Sequence, residues 1–459
     1  MTELIEKHAK TLSVYTELRA HKNIQKRVGF LDGNLIQNSS SEQSGVCARV
    51  YKSGSYGFAA APSCNEEGVS EVLKASLENA EFLNQKQNLQ KPQYPQIKPI
   101  RSYFDGKKSD PTTQKYMIDF LAELDDYIVK KYPKIISRMI ASPCLTTEKA
   151  LATSDDVFSY SLVPHASLYI SITAEDKDGT PLQLMTPFGD FGYFSDIFKS
   201  PSDYFKDIDF LNEQLMQKCE GVFAEAGLKE CILHPDLAGM LAHEAVGHTT
   251  EADFVLSGSV AGKYLNKEVA SPIVTMVDFA STAFGKQCPV PVFIDDEGTP
   301  AKDVTIIENG ILRSYMHSKE SAARFGVEPT GNARAYSFSD EPLIRMRNTV
   351  ILPGQSKLDE MIASIDDGYY FIKTGNGQAD ATGEFMFGID FGYEIKKGKL
   401  GRALKSTTIA GVAFEMLKTV SALSDDMEWC STGMCGKKQS ISVGMGGPAI
   451  KCKVNVGGR

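Results

Sequence analysis

The string His243-Glu244-Ala245-Val246-Gly247-His248 brings two imidazoles and a carboxylate into one short stretch, a set that can hold zinc and activate a water bound to it. Its spacing makes a structural demand. In the familiar HExxH string the histidines fall four apart and share one face of an α-helix, whereas here they fall five apart. At about 100° per residue, five steps leave the rings about 140° apart around a regular helix, too far for one ion to reach both. A shared metal therefore requires a π-type turn or a bend at the helix end, and Gly247 is the residue that would tolerate either. Without that distortion the two are ordinary helical histidines, one buried and one solvated.

Catalytic zinc takes three protein ligands and leaves the fourth position to water, so a third ligand must come from elsewhere. The candidates after the string are Cys288, His317, Cys430, Cys435 and Cys452. Cys435 stands in Thr432-Gly433-Met434-Cys435-Gly436-Lys437, where the flanking glycines let the backbone approach an ion. A free cysteine is also often just a small buried hydrophobe. Glu251 and Asp253 follow His248 within two turns and are candidates to accept hydrogen bonds from the ligand imidazoles. His234, directly before Pro235 at the helix start, is read as structural.

These residues must be carried by a chain of 459 residues, past the size at which one core stops growing. The division expected is an N-terminal α+β domain over 1–200, a connecting helix over 201–227 and a C-terminal domain over 228–459. The first 20 residues are weakly helical in period. A meander of short strands follows over Lys26–Phe30, Asn34–Gln37, Gly45–Tyr51 and Tyr56–Ala60. Helices are expected over Glu67–Gln87 and Thr112–Lys131, with a proline-rich connector at Asn88–Ile100. Strands return over Lys134–Phe194, turning at Asp176–Gly179 and around Pro187-Phe188-Gly189, which puts two main helices on a sheet. A helix over Asp203–Gly227 leads to a short strand, Cys231–His234, that delivers the chain into the motif helix. Beyond it, many strands imply a large curved antiparallel sheet or open barrel, with the longest turns at Lys373–Asp380 and Gly433–Gly447.

Composition narrows the function classes. A net charge of -9 argues against a broad nucleic-acid-binding surface. No apolar run approaches the ~20 residues that span a bilayer, and Met1–Lys10 lacks the pattern of a signal peptide, so a soluble, cytoplasmic protein without membrane contact is expected. Nine cysteines in no compact framework fit reduced thiols.

Four runs resemble one family. HEAVGHTTEADF at His243–Phe254, RMRNTVILPG at Arg345–Gly354, GMCGKKQSISVGMGGP at Gly433–Pro448 and GVCARVYKSGSYGFA at Gly45–Ala59 are similar to the TldD/PmbA metallopeptidases, once called modulators of DNA gyrase. TldD-type subunits carry HExxxH and a late cysteine, whereas PmbA-type (TldE) subunits lack the ligands, and this sequence resembles the TldD type. The resemblance implies zinc held by His243, His248 and Cys435, with Glu244 as general base. It also implies cleavage of unfolded or flexible peptides and a heterodimer with a PmbA-type subunit, a homodimer being the other assembly in view. Gly375, Gly377, Gly383 and Gly388 flank segments where a substrate strand could be added, or are plain hairpin glycines.

Three rival readings stand beside the peptidase. One is a non-catalytic regulator associated with DNA gyrase function. Another is a structural zinc closed by Cys430 or His317, which gives Glu244 no role. The third is a hydrolytic zinc acting on a non-peptide amide.

Overall fold

In a computed structural model the chain is described at every residue except 11, 13, 53, 88–95, 107, 108 and 459. The N-terminal half is a seven-stranded sheet. Its meander runs Tyr15–Leu31, Asn34–Lys52 and Ser55–Ala61. The first turn is Asp32-Gly33, both at positive φ (52° and 82°), as a two-residue hairpin matching the strand twist needs. The sheet continues through Ser137–Thr153, Val157–Glu175 and Ile100–Asp105, while Pro181–Phe191 pairs with Val157–Glu175. Two main helices cover it over separate cores. Glu66–Gln87 buries Val69 and Val72 against Leu18 and Val46, and Gln114–Lys131 buries Met117, Leu121 and Ile128 against Val28 and Ile170.

Several element bounds differ from the sequence expectation. The N-terminal helix stops at Ala9, and Tyr15–Ala20 is already strand, buried on both faces from Thr16 onward, so no alternation marks it. Pro187-Phe188-Gly189 is not a turn: it lies inside Pro181–Phe191, which pairs on one side only and so tolerates a proline. The helix expected over 201–227 is confined to Phe205–Cys219. Beyond it the chain is claimed by the C-terminal half, Val222 N donating to Ala403 O at 2.9 Å and Lys405 N to Val222 O at 2.8 Å. Gly227 does not stop a helix but opens the strand Gly227–Leu233. Most of the connector expected at 88–100 lies outside the described residues.

Among the described residues the C-terminal half holds two large sheets and two small two-stranded ones. The expected curved sheet closes on itself as a five-stranded barrel of Asp367–Ala379, Gly227–Leu233, Ile450–Val456, Thr407–Val412 and Glu384–Lys396. A six-stranded sheet faces it, with Met276–Phe279, Asn348–Ile351, Gln439–Gly447 and Glu428–Lys437 in that order toward one edge. The glycine-rich stretches 373–380 and 433–447, expected as turns, are largely strand. The motif helix runs between barrel and sheet: Leu237, Ala238, Leu241, Ala242, Ala245 and Val246 are buried in one core with barrel residues such as Phe371 and Phe387 and sheet residues such as Met276 and Val443. A helix apolar on most sides is thereby held on most sides.

The sheet behind the helix is fastened by a buried ion pair. Arg347 Nε lies 2.9 Å from Asp278 Oδ2, both side chains 0% exposed, and Arg347 also donates to the carbonyls of Lys302, Thr330, Gly331 and Asp278. Arg347→Met strands a buried carboxylate and these carbonyls, so equilibrium denaturant unfolding is expected to register a loss of about 3–5 kcal/mol. Among the described residues no helix is long and apolar enough to cross a membrane.

Candidate metal centre

The motif helix opens directly after strand Gly227–Leu233, with Pro235 in its first turn and His234 as its cap. His234 Nδ1 accepts from Asp236 N at 3.4 Å. This is the structural role expected of His234. The segment is α-helical over Pro235–Met240 and then a π-helix over Leu241–Gly247, so the widened turn that a shared ion demands at this spacing is present. Its effect is to bring the rings of His243 and His248 together, 5.1 Å between centroids and inclined at 79°.

Gly247 acts differently from the expectation. Its backbone is ordinary right-handed helix (φ -55°, ψ -53°), so no strained conformation calls for glycine. What calls for it is close approach: a Cβ here would stand 2.0 Å from Met346 Sδ. Met346 is fully buried, so shifting its side chain disturbs the core packed around it. Gly247→Ala is therefore expected to cost about 1–3 kcal/mol by overpacking, read as a lowered Tm, and to weaken metal binding with it.

Cys435 comes from the edge strand Glu428–Lys437. Its Sγ lies 3.3 Å from His248 Nε2, and one ligand atom each from His243, His248 and Cys435 all fall within 4.8 Å of one another. Cys430 and His317, the other ligands considered for a closed site, do not join this group among the described residues, and His317 Nδ1 faces Ser321 Oγ at 3.1 Å. Glu244 reaches the same space, with Oε1 3.9 Å from His243 Nε2 and Oε2 3.7 Å from His248 Nε2. Its side chain is 25% exposed against 1% for His243, so Glu244 marks the open side of the site.

The donor set fits a metal ion. Both ring nitrogens of His243 are buried without a hydrogen-bond partner, a costly state that a ligand on either one relieves. Burial first, then His248, Arg345 and Arg334, holds His243 well below the ordinary imidazole range, and therefore neutral, as a metal ligand must be. For Glu244, burial raises the carboxyl, His248 opposes the rise and Glu251 adds to it. Burial disfavours charge on His248, yet the Cys435 sulfur and Glu251 outweigh it and raise the imidazole to about 10 in the metal-free protein.

Glu251 is 0% exposed and its Oε2 faces His248 Nδ1 at 3.3 Å. Asp253 does not contact either histidine: its Oδ2 receives Lys437 Nζ at 2.6 Å. Two groups around the site were not foreseen. Lys437 also reaches Glu251, and Arg345, fully buried, donates to the carbonyls of Cys435, Lys437 and Gln439 at 2.5–3.1 Å. Both lie in runs quoted above for their resemblance, but a buried cation gripping carbonyls leaves no spacing pattern to read.

The glycines have local explanations. A Cβ on Gly377 would meet Phe387 at 2.5 Å and Met240 Sδ at 2.7 Å, so Gly377 lets the 367–396 hairpin lie against the motif helix. One on Gly375 would meet the Asp390 carboxylate and one on Gly388 the Asn376 side chain, while Gly383 occupies a turn at φ 82°.

Three family models match the chain in succession: the PmbA/TldA metallopeptidase domain 1 over 16–80, the central domain over 107–226 and the C-terminal domain over 227–458. A metalloprotease TldD homolog of Haemophilus influenzae is 31% identical over 93% of this chain and 89% of its own length. The chain belongs to the PmbA/TldD metallopeptidase family. A zinc metalloprotease TldD homolog of Saccharolobus solfataricus is 34% identical over 64% of this chain and 65% of its own. Among solved structures, TldE from Thermococcus kodakarensis superposes with a TM-score of 0.77 over 99% of both chains at 17% identity. A Thermotoga maritima chain solved as a modulator of a DNA gyrase gives 0.79 over 99% of this chain and 98% of its own, also at 17% identity. The PmbA/TldD fold is thus retained at 17% identity. Within this PmbA/TldD chain the donor cluster lies wholly in the part matched by the C-terminal family model.

Proposed function

We propose that this chain is a zinc-dependent peptidase acting on unfolded or flexible peptides, with His243, His248 and Cys435 as zinc ligands and Glu244 as general base. The observation that carries this reading is the convergence of three donor atoms within 4.8 Å, with an open-sided carboxylate beside them. When bound, zinc supplies Lewis acidity that polarises the scissile carbonyl and acidifies a water. Glu244 takes the proton of the attacking water and passes it to the leaving amine. Its raised carboxyl suits that duty, since proton transfer is most efficient when the base titrates near the working pH. Glu251 holds the His248 ring so that Nε2 points at the cluster. Among the described residues no fourth donor joins His243, His248 and Cys435, which favours a catalytic over a closed structural zinc, because a closed site would need a fourth protein ligand. A PmbA-type (TldE) subunit is the proposed partner, on the strength of family membership.

Zinc must displace the proton that His248 carries in the metal-free protein. With that imidazole raised to about 10, apparent zinc affinity is expected to climb about tenfold per pH unit from pH 7 to 9, levelling above about 10. The sign for stability is opposite. The raised value stabilises the metal-free fold fully below about pH 6.5, and that contribution is lost as pH rises through about 10. Proton release on zinc addition, followed by calorimetry in buffers of different ionisation enthalpy, checks the first statement.

The proposal is tested by incubating an unstructured peptide with the zinc-loaded chain, alone and with a PmbA-type subunit. Cleavage that stops on chelation and returns on zinc readdition is expected. Cleavage insensitive to chelation, or a fully zinc-loaded complex that cuts no peptide, would remove the peptidase assignment.

A further inference from the structure

Lys437 follows Cys435 by two residues on one strand, so both side chains leave it on the same face. Its Nζ donates to Glu251 Oε2 at 2.8 Å, to Asp253 Oδ2 at 2.6 Å and to Ile344 O at 3.1 Å. These three acceptors match the three hydrogens of an ammonium. The ammonium also lies 4.5 Å above the ring of Phe254, and the side chain is only 10% exposed. The lysine therefore joins the strand bearing the thiol to the segment just after the second histidine.

The junction involves the same oxygen that orients His248. Glu251 Oε2 meets Lys437 Nζ on one side and His248 Nδ1 on the other, at 2.8 and 3.3 Å, inside a carboxylate that is 0% exposed. A buried carboxylate needs a cation and donors to remain in place. Arg345 grips the backbone of the same strand through the carbonyls of Cys435 and Lys437, which fixes its height but does not reach Glu251 by any hydrogen bond seen here.

We propose that Lys437 is a positioning residue of the metal centre. By docking onto Glu251 and Asp253 it sets Cys435 against the histidine pair, and by compensating Glu251 it keeps the acceptor that aims His248. Lys437 thus governs how far the three donors are assembled before zinc arrives. This rests on the reading of His243, His248 and Cys435 as the ligands.

The test uses the full-length chain, stripped of metal, as wild type, Lys437→Met, Lys437→Arg and Cys435→Ser. Zinc affinity is read by competition with a chromophoric chelator, and thiolate ligation by the near-ultraviolet charge-transfer band of added cobalt(II). Wild type is expected to give the band and Cys435→Ser to lose it. Lys437→Met is expected to bind zinc about 10–100-fold more weakly, the range for loss of an outer partner, with a weakened band, and Lys437→Arg to recover most of both. A Lys437→Met protein with wild-type affinity and band overturns the positioning role. A wild-type protein without the band, or Cys435→Ser with it, overturns the ligand assignment, and the inference with it. Circular dichroism checks folding. Should Lys437→Met not fold, Asp253→Ala removes one anchor at a site 39% exposed. Weaker zinc binding in that variant supports the role, and unchanged binding overturns it.

Discussion

Glu244→Gln is expected to lower kcat by about 10²- to 10⁴-fold, the usual contribution of a positioned general base, while the protein keeps its zinc. The amide has nearly the shape of the carboxylate and cannot take a proton at neutral pH. Glu244 is not one of the three converging donors, and its carboxylate lies 3.7–3.9 Å from the two imidazoles rather than within hydrogen-bonding range. Removing its charge therefore leaves the donor cluster intact. KM should change little, because the lost interaction belongs to the transition state. Zinc content by atomic absorption alongside steady-state kinetics on one peptide separates the two quantities. Loss of zinc together with activity would instead make Glu244 a ligand, and retained activity would remove it from the mechanism.

Cys435→Ala carries the second large effect. His243 and His248 alone leave the proposed three-ligand site incomplete, so zinc affinity is expected to fall beyond the about 10–100-fold typical of an outer partner, and cleavage to disappear at ordinary zinc concentrations. The apo fold should persist. Cys435 is fully buried, but its strand is held by pairing with Gln439–Gly447 and by Arg345 on its carbonyl. A metal-free protein that still unfolds cooperatively, at a Tm lowered at neutral pH by loss of the Cys435 contact to His248, with the zinc-induced rise in Tm abolished, is the expected pattern. A zinc-induced rise equal to wild type would take Cys435 out of the site.

Much of this centre was legible in the sequence because its parts have local rules. Five-residue spacing with a shared ion forces a widened turn, and Leu241–Gly247 is that turn. Glu251, three residues beyond His248, is brought beside it by the separate 3-10 turn His248–Thr250. The meander was legible from its alternation and from Asp32-Gly33, although its strands are longer than alternation alone marks: residues 34–43 are exposed on both faces, which erases the period. Glycine misled the reading at 373–380 and 433–447. Its turn preference was assumed there, whereas Gly377 and Gly433 serve close packing against Phe387 and Met445 within strands. Lys437 and Arg345 were missed because their partners stand 186 and 90 residues away along the chain, beyond any pattern of spacing.

The ligand set itself is the claim on which the rest depends, and X-ray absorption at the zinc edge of the purified protein tests it most directly. Two imidazole nitrogens at about 2.0 Å, one sulfur at about 2.3 Å and one light, exchangeable fourth scatterer are expected, with the sulfur shell absent in Cys435→Ala. Four protein ligands, a second sulfur, or no sulfur at all would contradict it.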